Sequence, residues 1–116
     1  MSVEDYLLLM KTIPIKRRGV VREHKLYKIY LPKEFDDLWN YLNKEGRKVD
    51  IIVLIPEFDD RGKPGLLKLV DKIVMRNKYI TRERNRFKIY LSSTYNDIWE
   101  YLNKHSIKVD VIVFIK

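Results

Sequence analysis

Arg22-Glu23-His24-Lys25-Leu26-Tyr27-Lys28-Ile29-Tyr30-Leu31 returns 60 residues later as Arg82-Glu83-Arg84-Asn85-Arg86-Phe87-Lys88-Ile89-Tyr90-Leu91. The match runs on without a gap. From Arg22–Ile55 onto Arg82–Ile115, 18 of 34 positions are identical, among them Trp39 and Trp99, Tyr41-Leu42-Asn43-Lys44 and Tyr101-Leu102-Asn103-Lys104, and Lys48-Val49-Asp50 and Lys108-Val109-Asp110. Weaker similarity extends upstream, with Leu7, Leu9 and Ile13 over Leu67, Leu69 and Ile73. A repeat this long organises the whole chain. The first unit is residues 1–56, with similarity from about residue 6, and the second is residues 66–116. Between them, residues 57–65 (Glu57-Phe58-Asp59-Asp60-Arg61-Gly62-Lys63-Pro64-Gly65) read as turn and linker.

Each unit predicts strand, strand, helix, strand. In the second, residues 82–91 alternate with period two, which places Arg82, Arg84, Arg86, Lys88 and Tyr90 on an outward face and Phe87, Ile89 and Leu91 inward. The first copy puts Arg22, His24, Lys28 and Tyr30 outward and Tyr27, Ile29 and Leu31 inward. An earlier strand, about Thr12–Ile15 in one copy and from Ile73–Met75 in the other, is expected to pair with it as a hairpin, with Gly19 suited to the first turn and only Asn77-Lys78 offered for the second. Phe35, Leu38, Trp39 and Leu42 form one apolar helix stripe, repeated by Tyr95, Ile98, Trp99 and Leu102. Pro32 suits a first helical turn, Ser92 or Ser93 offers an N-cap hydroxyl, and Gly46 suits a left-handed C-terminal stop. The last strands, Val49–Ile55 and Val109–Ile115, are apolar on both faces beyond Asp50 and Asp110, and so belong inside a sheet or under a helix.

A unit of about 50 residues buries too little surface to stand comfortably alone. The expected fold is therefore α+β, two tandem β-β-α-β repeats packed as an intramolecular pseudo-two-fold dimer around one shared core.

Composition narrows the functional classes. The 116 residues include no cysteine, so disulfides, thiol nucleophiles and cysteine-ligated metals are excluded. The longest apolar runs, such as Ile51–Ile55 and Val111–Ile115, are five residues, against about 20 for a membrane helix. The acidic start Met1-Ser2-Val3-Glu4-Asp5 is unlike a secretory signal, and a cytoplasmic location is expected. Ala and Gln are also absent while Ile and Lys are abundant, which suits a thermophilic archaeal or archaeal-virus source or an AT-rich genome. His24 and His105 occupy non-equivalent positions, and no phosphate loop, calcium loop or nucleophile elbow occurs. No enzyme, cofactor or metal site is expected. Asp50 and Asp110 are read as turn or cap residues, and Trp39 and Trp99 as core anchors.

The net charge of +8 is unevenly placed. Thr12–Lys28 holds six basic residues and one acidic; Lys72–Lys88 holds seven and one, so the rest of the chain is mildly acidic. That is the footprint of a phosphate-backbone binder. The candidate nucleic-acid contacts are Arg17, Arg18, Arg22, Lys28, Arg76, Lys78, Arg82, Arg84, Arg86 and Lys88. Tyr30 and Tyr90 are placed either to stack on bases or to pack between strand and helix. Basic outward faces also occur simply as solvated or edge-protecting charge.

The stretch Lys28-Ile29-Tyr30-Leu31-Pro32-Lys33-Glu34-Phe35, then a helix, then Lys48-Val49-Asp50-Ile51-Ile52-Val53, resembles the AbrB-like (swapped-hairpin) family in its archaeal type, here as a tandem duplication. The resemblance implies interlaced hairpins, DNA binding and transcription regulation, with contacts at Arg17, Arg18, Arg22 and Lys28 and at Arg82, Arg84, Arg86 and Lys88. The expected partner is DNA, RNA being an equivalent polyanion to this reading, with no membrane role and the chain either a monomer with pseudo-two-fold symmetry or a homodimer. The alternative is a protein-interaction or assembly module, a viral, plasmid or antitoxin-like accessory protein, in which one long apolar strand lies at a sheet edge and pairs with a partner.

Overall fold

The computed structural model describes residues 11–56 and 71–116. The linker 57–65, the upstream similarity at Leu7, Leu9, Leu67 and Leu69, and the acidic start lie outside the described residues. The elements run β1 (Thr12–Arg18), β2 (Val21–Glu23), β3 (Leu26–Tyr30), α1 (Asp36–Lys44), β4 (Lys48–Leu54), β5 (Lys72–Tyr79), β6 (Thr81–Glu83), β7 (Arg86–Tyr90), α2 (Asn96–Lys104) and β8 (Val109–Ile115). A one-turn 3-10 segment leads into each helix, at Lys33–Phe35 and Ser93–Tyr95. The fold is α+β, with eight strands in two antiparallel sheets among the described residues.

The first sheet has the order β1-β8-β4-β5. Its two inner strands are β4 and β8, the runs that are apolar on both faces. They pair with each other, Ile51 opposite Val113 and Ile52 opposite Ile112, and bury Val49, Ile51, Val53, Val109, Val111 and Val113. Neither is an edge, so the expectation of a free apolar strand edge is corrected: the edges are β1 and β5. Pro14 of β1 has no N–H to give to a further neighbour, which suits an edge strand.

The expected β1 hairpin is also corrected. β1 pairs with β8 of the second repeat, setting Ile13 beside Val113 and Ile15 beside Val111, and β5 pairs with β4 of the first. The reason is that the stretch read as a single strand is itself a hairpin. Glu23 faces Leu26 across a two-residue turn, His24-Lys25, and Glu83 faces Arg86 across Arg84-Asn85. β2 and β3 satisfy each other, so β1 must find its partner elsewhere. Gly19 lies in the passage between β1 and β2, not in the turn.

The second sheet, β2-β3-β7-β6, joins these hairpins at its centre, with Ile29 opposite Ile89. Tyr27, Ile29, Leu31, Phe87, Ile89 and Leu91 line its core face. α1 packs on β7 and β6, and α2 on β3 and β2, so each helix covers the other repeat's hairpin. Asn43 Nδ2 donates to the Ile80 carbonyl at 2.7 Å, and Asn103 Nδ2 to the Val20 carbonyl at 2.8 Å. Trp39 and Trp99 are fully buried, as expected of core anchors, and their indole N–H groups donate to the carbonyls of Pro32 and Ser92. Gly46 ends α1 at φ +62°, as expected; Ser106 takes the same conformation after α2. No helix among the described residues is long and apolar enough to cross a membrane.

Candidate nucleic-acid interface

Two kinds of basic residue separate once the hairpins fold. The first kind is buried. Lys28 and Lys88, expected on the outward basic row, are 4% and 5% exposed. The two-residue turn changes the face parity of the stretch: Arg82 sits opposite Phe87, while Arg86 sits opposite Glu83. So Arg82 and Lys88 do not share a face, and Arg84, at φ 55°, lies in the turn itself. Across the β3–β7 seam, Lys28 stands opposite Tyr90 and Tyr30 opposite Lys88.

These residues and the two hairpin glutamates close a ring. Lys28 Nζ donates to Glu23 Oε1 at 2.7 Å and to Glu83 Oε1 at 3.0 Å; Lys88 Nζ donates to Glu23 Oε1 at 3.0 Å and to Glu83 Oε1 at 2.9 Å. The other carboxylate oxygens accept phenol hydrogens, Glu83 Oε2 from Tyr30 at 2.6 Å and Glu23 Oε2 from Tyr90 at 2.5 Å. Tyr30 and Tyr90 are thus half-buried hydrogen-bond donors of the seam, with the Arg86 guanidinium 3.3 Å above the Tyr30 ring.

The ring fixes the charge of its members. The Lys28 hydrogen bond, then those of Tyr90 and Lys88, hold the Glu23 carboxyl down at about 2. Tyr30, Lys88 and Lys28 hold Glu83 well below the usual carboxylate range. Burial by itself would depress the Lys28 ammonium, but Glu23, Tyr30 and Glu83 outweigh it and raise it above the usual lysine range. Lys88 is raised likewise by Tyr90, Glu83 and Glu23 against the same burial cost. These four groups all stay ionised near neutral pH and none serves as a proton carrier there. Two Lys and two Glu cancel.

The second kind of basic residue is on the surface. Arg17, Arg22, Arg76, Arg82, Arg84 and Arg86 are exposed, and Arg18 and Lys78 are half-exposed. None of the eight forms an ion pair with a carboxylate among the described residues. Two of them brace their own turns, Arg22 Nε donating to the His24 carbonyl at 2.9 Å and Arg82 Nε to the Arg84 carbonyl at 3.0 Å. Once the ring removes two lysines and both glutamates, the segments Thr12–Lys28 and Lys72–Lys88 keep eleven basic side chains and no acidic one.

Backbone irregularities carry Arg17, Arg18, Arg76 and Lys78 outward. Each edge strand holds one extra residue, between Ile15 and Arg18 opposite β8 and between Met75 and Lys78 opposite β4. Such bulges bend an edge and re-aim its side chains. The bulged residues Arg17 and Asn77 have φ 55° and 59°. Asp110 Oδ1 accepts the Arg17 N–H at 3.0 Å, and Asp50 Oδ1 accepts the Asn77 N–H at 2.9 Å. The two aspartates therefore secure bulges, a turn-like duty. The Asn77 amide, with Lys116 at 3.0 Å, holds the Asp50 carboxyl below its ordinary value. Sequence reasoning missed the seam roles of Glu23 and Glu83; their signal was the one acidic residue at the same place in each basic hairpin.

Compared with family models, with curated proteins and with solved structures, the chain matches none.

Proposed function

We propose that the chain is a non-enzymatic DNA-binding protein, built as an intramolecular pseudo-two-fold dimer of two interlaced repeats. The pseudo-dimer is supported by pairings that recur 60 residues apart in exchanged form: Asn43 to Ile80 and Asn103 to Val20, Lys28 to Glu83 and Lys88 to Glu23. The resemblance to AbrB-like swapped-hairpin proteins agrees with that exchange. One observation carries the binding reading: eight exposed or half-exposed basic side chains on the hairpins and bulges form no ion pair among the described residues, while the hairpin carboxylates Glu23 and Glu83 are engaged at the seam. A stable fold needs no such unneutralised excess, whereas a phosphate backbone does. The proposed contacts are Arg17, Arg18, Arg22, Arg76, Lys78, Arg82, Arg84 and Arg86. Lys28 and Lys88 act instead by holding the two hairpins in register.

The test is charge reversal away from the seam. Arg18→Glu, Arg82→Glu and Arg84→Glu together should abolish duplex binding in a mobility-shift titration while the melting temperature stays within a few degrees. Collapse of the fold would make these residues structural and remove the reading.

A second reading, assembly, has its own observation. The outer face of the first sheet carries a cross-strand row, Pro14, Ile112, Ile52 and Val74, with Val74 48% exposed. A second copy stacked on that row would give a dimer by light scattering that is indifferent to nucleic acid. A monomer that shifts only on adding duplex favours the first reading.

A further inference from the structure

The two halves are not equally equipped. Between β5 and the Ser92–Tyr95 turn lies an open cleft of about 280 Å³, walled by Arg76, Lys78, Ser92, Thr94 and Tyr95 with Met75 beneath. The Met75 sulfur accepts the Ser92 amide at 3.3 Å and ties the turn to the strand. Ser92 Oγ accepts the Thr94 N–H at 3.4 Å, which leaves its own hydrogen free to donate. Two cationic and three hydroxyl-bearing residues therefore border one opening. No carboxylate is among them; the described acid that acts on Arg76 is Asp50, which attracts it through space but is itself paired with Lys116 at 3.0 Å.

The corresponding positions of the first repeat read differently. Ser92, Thr94 and Tyr95 become Pro32, Glu34 and Phe35, and Arg76 becomes Lys16. All three hydroxyls are gone, a carboxylate replaces one of them, and Lys16 is already engaged by Asp110 at 3.6 Å. Lys78 becomes Arg18, so the same backbone frame keeps its cations in both repeats, but only the second adds hydroxyls, and the first carries Glu34 instead.

We infer that the cleft of the second repeat binds a phosphate group, with Arg76 and Lys78 supplying charge and Ser92, Thr94 and Tyr95 supplying hydroxyl donors. Two cations with several hydroxyl hydrogens match a tetrahedral oxyanion, which accepts from many directions. In its fullest form the inference rests on the DNA-binding reading: the phosphate is then a backbone phosphodiester, and the chain grips the two sides of its site unequally.

The experiment has two arms on the full chain. In the first, inorganic phosphate is titrated while backbone amide resonances are followed by NMR. Shifts at Arg76, Ser92 and Thr94, without shifts at Lys16, Glu34 and Phe35, are expected, and Thr94→Glu or Arg76→Gln should remove them. In the second, Thr94→Glu should weaken duplex binding about ten-fold and flatten the salt dependence by about one phosphate contact. The exchange Glu34→Thr in the first repeat should strengthen it. Thr94 is exposed, so an unchanged melting temperature will separate binding from folding. Phosphate shifts at the cleft in a protein with no duplex affinity would support the cleft as a free-phosphate site and defeat the DNA reading. Duplex binding unaffected by Thr94→Glu, with no phosphate shifts, would overturn the cleft and leave the DNA reading standing.

Discussion

At the residue scale, the most consequential side chains are the ones whose charge is hidden. Lys28 and Lys88 look in sequence like their exposed neighbours, because alternation reports a face but not what covers it. What distinguishes them is the glutamate five residues upstream of each, on the same face once the turn is counted. The ring makes a pH prediction. Glu23 and Glu83 are held below their ordinary value of 4.5, so the stability they contribute is complete above that pH and is lost as pH falls toward about 2. The two lysines are held above their ordinary value of 10.5, so their contribution is complete below it and is lost in stronger base. Melting temperature should be level between about pH 5 and pH 10 and fall on both sides. A Glu23→Gln, Glu83→Gln variant should melt lower at neutral pH and show a weaker acid decline. Parallel wild-type and variant profiles would mean that the ring does not couple to folding.

At the element scale, the helices and the two inner strands are legible in the sequence, whereas the hairpin inside residues 22–31 and the partners of the outer strands are not. Val49-Asp50-Ile51-Ile52-Val53-Leu54-Ile55 is apolar on both faces, and it forms one of the two inner strands of its sheet. The helix stripe at Leu38, Trp39 and Leu42 is buried as its spacing requires. The two-residue turns were hidden, because His24-Lys25 and Arg84-Asn85 contain no glycine and yet take φ near +55° at their first residue. Without that turn in view, residues 22–31 read as one strand and β1 was assigned the wrong neighbour. Pro14 held a clue, since a proline within a strand marks an edge. The bulge at Arg17 was hidden, since arginine gives no signal for left-handed backbone; Asn77, a residue that tolerates that conformation, marks its own irregularity but reads equally as a hairpin turn with Lys78. The exchange of elements carries its own prediction. Asn43→Leu should cost about 1–2 kcal/mol by leaving the Ile80 carbonyl without its donor, and Asn103→Leu should cost about the same at Val20. Denaturant midpoints measure both; an effect confined to one of them would mean that the two crossings are not equivalent.

At the scale of the whole molecule, duplication was the most legible feature and its consequence the least. Residues 22–55 and 82–115 share 18 identities in 34 aligned positions, and the strands and helices of each stretch pair with and cover those of the other. Residues 66–116 expressed alone should therefore be unfolded at low concentration, or fold only as a dimer that repeats the exchange. Light scattering with circular dichroism will distinguish these from a folded monomer, which would contradict the interlacing. The same pairing joins the two basic hairpins side by side in one sheet, and on that rests the functional proposal. Its most direct test is duplex affinity as a function of salt, followed by fluorescence anisotropy. If six to eight of the exposed basic residues meet phosphates, log affinity should fall against log salt with a slope of about −5 to −7. Absence of measurable binding at about 50 mM salt, or an affinity independent of salt, would contradict it.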